Sequence, residues 1–193
     1  MTVWHWVRHG PTHEKTFVGW RDVPADLSDA AQIARLNAHL PRAALLVSSD
    51  LCRAVTTADA LTLPSRARLP NEQDLRELHF GAWDGLHFKE VAARDPELSR
   101  AYWERPGDVV APEGESWNQT KARVDAVVAR INAAHPQAHV IAVAHFGVIL
   151  TQIQQALGTD PLAAMAHKID NLSVTHLSHT DGQWQIHGIN QAP

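Results

Sequence analysis

The chain has 193 residues, 45% of them hydrophobic and 20% charged, a balance that suits one globular domain with an ordinary core. A formal net charge of −4 gives no global attraction to nucleic acid or to an anionic membrane, so neither is expected as a partner and any cationic site has to be local. A single cysteine excludes an internal disulfide, no apolar run approaches membrane-spanning length, and Arg8 and His9 interrupt the only apolar stretch near the N-terminus. A cytoplasmic protein is expected.

Thirteen histidines raise the question of a metal. His5, His9 and His13 are spaced by four, but Gly10-Pro11 separates the last pair, so no single regular element holds both. Nothing matches a helical His-Glu-x-x-His pattern or a Cys/His framework, and no metal or other cofactor is expected.

Val3 to Val7 reads as a buried strand that stops at Gly10-Pro11, leaving Arg8 and His9 at its carboxyl end. Ser28 is the expected N-cap of a helix to about Leu40, which Pro41 ends. Leu45 to Ser48 is a second strand. Ser49 or Asp50 is expected to cap a helix to about Leu63, with Leu51, Ala54, Val55, Ala58 and Leu61 on one apolar face and Arg53 off it. Ala67 to Leu69 reads as a short third strand. Two glycines in Leu75 to Gly85 allow the sharp turns that would place Glu77.

Residues 86–114, punctuated by Pro96, Pro106 and Pro112, read as an inserted helical cap whose wider limits are 79–115. Ser116 and Gln119 form a capping box for a helix to about Ala134 with Trp117, Thr120, Val124, Val127, Val128 and Ile131 inward. His139 to Ala144 is the clearest buried parallel strand, followed by His145 and a helix to Leu157 with Gly158 beyond it. Leu172 to Leu177 and Gln183 to Ile189 read as a hairpin turning at Asp181-Gly182. Alternating strands and helices imply a three-layer α/β/α domain over 1–193, with a mostly parallel central sheet and the small helical cap. In such a sheet the residues after each strand share one edge, where ligands bind.

Arg8-His9-Gly10 with Thr12, Phe17 to Asp22, Ser48 to Ala58 around Arg53, Leu75 to Gly85, Gly114-Glu115-Ser116 and the strand-His145-x-Gly147-helix follow one another in the chain. Together these motifs resemble the histidine phosphatase superfamily, the phosphoglycerate mutase-like proteins, over residues 3 to about 175. The length and the Leu75 to Gly81 block are similar to α-ribazole phosphatases. The chain departs from the family's pattern at Pro11, in the short loop after Thr12, at Asp84 in place of a commoner Glu, and at Phe146 beside the second histidine.

The resemblance implies a phosphoric monoester hydrolase of the histidine acid phosphatase type acting through a phosphohistidine. Its expected partner is a small-molecule phosphate ester. The chemistry of the residues agrees. Arg8 and Arg53 present planar forks that match phosphate oxygens. Phe146 and Gly147 are expected to add backbone N–H donors at a helix N-terminus. His9 is the expected nucleophile, its pKa held down by cationic neighbours and its second nitrogen tied to a backbone carbonyl. His145 fits charge stabilisation, the part the family gives it, and Glu77 fits the proton donor, held ionised in the empty site by the two arginines. Thr12, His13, Lys15, Arg21, Trp83, Trp103 and Arg105 are candidate lining residues. A phosphoglycerate mutase-type phosphotransferase and a non-catalytic phosphate-binding regulatory protein are the alternatives.

Overall fold

The computed structural model describes residues 1–193. Six strands form one sheet in the order β3-β2-β4-β1-β5-β6: β1 (Thr2–Arg8), β2 (Ala44–Ser48), β3 (Arg66–Arg68), β4 (His139–Ala144), β5 (Val174–Thr180) and β6 (Gln183–Gln191). β1/β4, β4/β2 and β2/β3 are parallel, whereas β5 and β6 add an antiparallel hairpin at one edge. The hairpin turns where expected, with Asp181 at φ 49° and Gly182 at φ 79°, the paired left-handed residues that match strand twist.

The period of two along the strands sorts the core into two clusters, one per face. On one face Val7, Leu46, Ile141, Val143 and Val174 meet Leu36 and Leu40 of the α1 (Ala30–His39) region and Ala54, Ala58 and Leu61 of the α2 (Cys52–Ala60) region. On the other, Trp4, Trp6, Val47, Val140, Ala142 and Leu177 meet Val124, Val127, Val128 and Ile131 of one helix and Val148, Ile149, Leu150 and Ile153 of another. Those two helices are α5 (Trp117–Ala134), with its capping box of Ser116 and Gln119, and α6 (Phe146–Leu157), with Gly158 in the left-handed conformation after it. The result is the expected three-layer α/β/α domain.

Between β3 and α5 the chain makes an excursion through α3 (Phe88–Arg94) and α4 (Pro96–Glu104). It leaves and returns at one place: the Glu115 N–H donates to His79 O at 2.8 Å and the Ala82 N–H to Pro112 O at 2.8 Å. Gly81, at φ 51°, lets these backbones pass, since a Cβ there would sit 2.0 Å from Pro112 O. A short α7 (Pro161–Met165), which the sequence reading did not include, precedes β5.

Several boundaries move. Asp29, not Ser28, caps α1, its carboxylate accepting from the Gln32 N–H. Neither Ser49 nor Asp50 caps α2. Asp50 is drawn off into a bidentate pair with Arg76, both contacts 2.7 Å, and Asp22 from a distant loop accepts the Cys52 N–H at 2.7 Å instead. A cap supplied across 30 residues leaves no local pattern. α2 ends at Ala60 rather than Leu63, β3 begins at Arg66, β5 begins at Val174, and β6 runs on to Gln191. No helix is long and apolar enough to cross a membrane.

Candidate active site

The carboxyl edge of the parallel strands gathers Arg8, His9, Arg53, Glu77 and His145. Gly10-Pro11 ends β1, and the residues around the break are tied down from three directions. The His9 N–H donates to Ala144 O of β4 at 3.1 Å, Asn171 Nδ2 donates to His9 O at 2.8 Å, and the Gly10 N–H donates to Thr57 Oγ1 at 3.0 Å. The Thr57 hydroxyl in turn donates to Arg53 O at 2.7 Å, which links the first arginine-histidine segment to α2.

His9 Nδ1 lies 2.7 Å from Gly10 O. A carbonyl only accepts, so Nδ1 carries the proton and Nε2 keeps its lone pair. The imidazole is pushed down to about 3, first by burial, then by Arg53, with Arg8 adding and the Gly10 hydrogen bond opposing. His145 follows β4 at the N-cap of α6. It is fully buried, and neither of its ring nitrogens has a protein partner. Burial, then Arg53 and His9, hold it well below the ordinary histidine value. The two rings are 5.0 Å apart between centroids, inclined by 60°.

Both arginines spend hydrogen bonds on backbone carbonyls and none on carboxylates. Arg8 Nη1 donates to Ile169 O at 2.6 Å. Arg53 Nη1 and Nη2 donate to Arg21 O at 2.9 Å and Gly19 O at 2.6 Å. The Nε of each is buried without a partner. Burial lowers both, and Glu77 is the largest opposing influence on each. The carbonyls that hold Arg53 are themselves placed by Asp84, whose carboxylate accepts the N–H groups of Gly19 at 3.2 Å and Arg21 at 3.0 Å. The shorter acid at position 84 thus serves the second arginine.

Glu77 corrects one expectation. Its Oε1 accepts the N–H groups of Leu78 at 3.0 Å and Gly147 at 2.9 Å. Yet its carboxyl is pushed up, because burial outweighs those bonds and the pull of Arg53 and Arg8. The two arginines pull its pKa down, but less than burial pushes it up. The same contact corrects the role of Gly147: its N–H is committed to Glu77 rather than free for a phosphate. The Phe146 ring lies 5.4 Å from the Arg8 guanidinium carbon, a cation–π contact.

The expected lining residues divide. Trp83 is a core residue, fully buried, with Nε1 donating to Asp95 at 2.8 Å; its aromatic bulk served packing. Trp103 is half-buried and stacks on Phe17 at 5.8 Å. His13, at φ 59°, is hydrogen-bonded to Asp26 at 2.8 Å, and Arg21 pairs with Glu14 at 3.1 Å and Asp84 at 3.4 Å, so the Arg21 charge is locally neutralised. Thr12 is half-buried, and Lys15 and Arg105 are exposed. Sequence reasoning missed Asn171, Thr57, Asp22 and Arg123, whose contacts run between segments far apart in the chain. A cleft of about 570 Å³ lies elsewhere, lined by Thr2, Asp125, Asn132, Gln152, His179 and Trp184 among others, and touches none of the five clustered residues.

The model of the histidine phosphatase superfamily, branch 1, matches residues 5–192. The chain belongs to this superfamily. Among curated relatives, a bifunctional protein of Mycobacterium tuberculosis is 34% identical over 176 residues, 90% of this chain and 46% of that one. The chain therefore spans about half the length of the first curated relatives it matches. A metal-independent phosphoserine phosphatase of Arabidopsis thaliana is 33% identical over 168 residues, 83% of this chain and 66% of that one. Of solved structures, a mycobacterial glucosyl-3-phosphoglycerate phosphatase in complex with VO3 is similar at TM-score 0.83 and 28% identity, covering 98% of both chains. In this member of the superfamily His9, His145, Arg8, Arg53 and Glu77 stand together at one sheet edge.

Proposed function

We propose that this chain is a phosphomonoesterase that hydrolyses a small phosphorylated metabolite through a phosphohistidine intermediate on His9. One observation carries the reading. His9 presents an unprotonated Nε2, fixed by the 2.7 Å bond from Nδ1 to Gly10 O, beside two arginines that no carboxylate neutralises by direct contact. Related proteins named as phosphatases, of phosphoserine and of glucosyl-3-phosphoglycerate, support the class of reaction.

In the first step His9 Nε2 attacks phosphorus and the bond to the ester oxygen breaks. Arg8, Arg53 and His145 hold the other phosphate oxygens as charge redistributes over them. Glu77, whose carboxyl is pushed up by burial, gives its proton to the leaving oxygen. In the second step water attacks the phosphohistidine, Glu77 takes the proton of that water, and the P–N bond breaks. The positive charge that the transferring group needs comes from side chains. Residues 79–115, with α3 and α4, cap the leaving-group side in this reading, and Phe17, Trp103 and Phe146 contribute aromatic surface there.

Turnover of p-nitrophenyl phosphate tests the assignment. The enzyme is expected to hydrolyse it, to be inhibited competitively by vanadate, and to keep its rate in excess chelator. Absence of turnover, or a rate that disappears with chelator and returns with a divalent metal, would remove this reading.

Gly147→Ala is expected to lower kcat by about 10²-fold, since a Cβ there would stand 2.6 Å from Glu77 Oε1 and 2.8 Å from Leu78 Cδ1 and would displace the proton donor. Steady-state kinetics on the folded variant checks this; an unchanged kcat would show that the carboxylate need not sit against α6.

A further inference from the structure

Glu77 lies in a stretch with no ladder to hold it. A 3₁₀ turn ends at Leu75, and residues 76–80 belong to no helix or strand. What holds this stretch is a guanidinium from another element. Arg123, on α5, uses all five of its N–H groups. Nη1 donates to Asp74 O at 2.8 Å and Arg76 O at 2.7 Å, Nη2 donates to Glu77 O at 2.8 Å, and Nε and Nη2 meet the two oxygens of Glu115 at 3.0 and 2.9 Å. Glu115 is anchored in its turn by the Thr120 hydroxyl at 3.1 Å and the His79 N–H at 3.3 Å.

We propose that Arg123, oriented by Glu115, is the positioning residue for Glu77: it sets the place of the proton donor without touching the substrate. The inference rests on the reading of Glu77 as that donor. The geometry favours it over simple packing for two reasons. The three carbonyls converge on one planar group, a task that a fork of five donors performs and a lysine's point charge does not. The contact also falls on the peptide of Glu77 itself, whose carbonyl takes a second bond from Trp20 Nε1 at 2.8 Å. Freed of the guanidinium, the carboxyl would keep its bonds to Leu78 and Gly147 but lose the fixed backbone from which it reaches the leaving oxygen.

Proton donation matters most when the leaving group is basic, which supplies a readout that loss of folded protein does not move. kcat/KM is measured on aryl phosphates from 2,4-dinitrophenyl to phenyl phosphate for the wild type, Glu77→Gln, Arg123→Met, Arg123→Lys and Glu115→Gln, with thermal melts to show that each is folded. Glu77→Gln is expected to lose about 10²-fold on phenyl phosphate and little on the dinitrophenyl ester. Arg123→Met is expected to steepen the dependence the same way, losing about tenfold on phenyl phosphate and less than about threefold on the dinitrophenyl ester. Arg123→Lys and Glu115→Gln follow it more weakly. If Arg123→Met does not fold, the lysine variant decides. Should Glu77→Gln steepen the dependence while the Arg123 variants lower every ester equally, Arg123 is structural and the proposal is overturned. Should Glu77→Gln itself leave the slope unchanged, the donor assignment falls and the positioning role falls with it.

Discussion

His9→Ala is expected to lower turnover of p-nitrophenyl phosphate by about 10⁴-fold or more, the scale on which loss of a covalent nucleophile disables an enzyme. The reason is geometric. The bond from Nδ1 to Gly10 O turns one nitrogen inward and leaves Nε2 as the free lone pair of that imidazole, and burial with Arg53 keeps it unprotonated. His145, at the start of α6, is not expected to substitute for it, because neither of its ring nitrogens has a protein partner that would fix the tautomer. Rapid quenching with ³²P-labelled substrate checks the claim directly. Wild-type protein should carry an acid-labile, base-stable phosphoryl group, as a P–N bond requires, and the alanine variant none. The variant should still bind vanadate, because Arg8, Arg53 and His145 remain. A labelled adduct surviving in His9→Ala would place the nucleophile elsewhere.

A second large effect is expected on stability in acid. His5 and His9 are held down to about 3, and His145 well below its ordinary value of 6.5, each chiefly by burial. Below pH 6.5 the unfolded chain binds protons at these three positions that the folded chain refuses. Stability contributed by the neutral rings is complete above that pH and drains away as pH falls towards their folded values. The slope is up to about 1.4 kcal/mol per pH unit for each histidine. Glu77, pushed up in the fold, works in the opposite sense and returns part of the loss once it is protonated. The midpoint of thermal unfolding should therefore fall steeply between pH 6 and 4.5. His5 offers a control outside the site: it sits on β1 with its Nε2 3.2 Å from His139 Nδ1 and its ring stacked 4.5 Å from His176. Faced by His176, His139, His39 and Arg66, it has only cations or potential cations as the charged groups that act on it. His5→Gln should remove about a third of the slope. A midpoint independent of pH over this range would mean that the rings take up protons inside the fold.

Much of this site was readable because each motif is short and local. A strand broken by Gly10-Pro11 places Arg8 and His9 at its end, and the apolar run His139 to Ala144 does the same for His145. The errors have a common origin in contacts made across the chain. Trp83 looked available because aromatic side chains near a loop can line a pocket; its neighbours in α3 and α4 buried it. Glu77 looked ionised because two arginines were expected nearby. The structure adds that Glu77 is fully enclosed, and that this burial raises its pKa more than the arginines lower it. Gly147 looked like a phosphate donor until Glu77 was found on its N–H.

By itself the sequence determined the fold class and the residues at the strand ends, because hydrophobic period and turn chemistry are written within stretches of a few residues, and its short motifs carried the resemblance to the superfamily. Tertiary structure alone decided which of those residues are buried, which donors are already spent, and which distant groups aim them. Asp22 capping α2, Asp84 setting the carbonyls for Arg53, and Arg123 bracing the segment of Glu77 are hydrogen bonds between stretches 30 to 63 residues apart, counting the Asp22–Cys52, Asp84–Arg21 and Arg123–Glu77 contacts. Burial and long-range pairing are properties of the packed chain, and no local pattern encodes them.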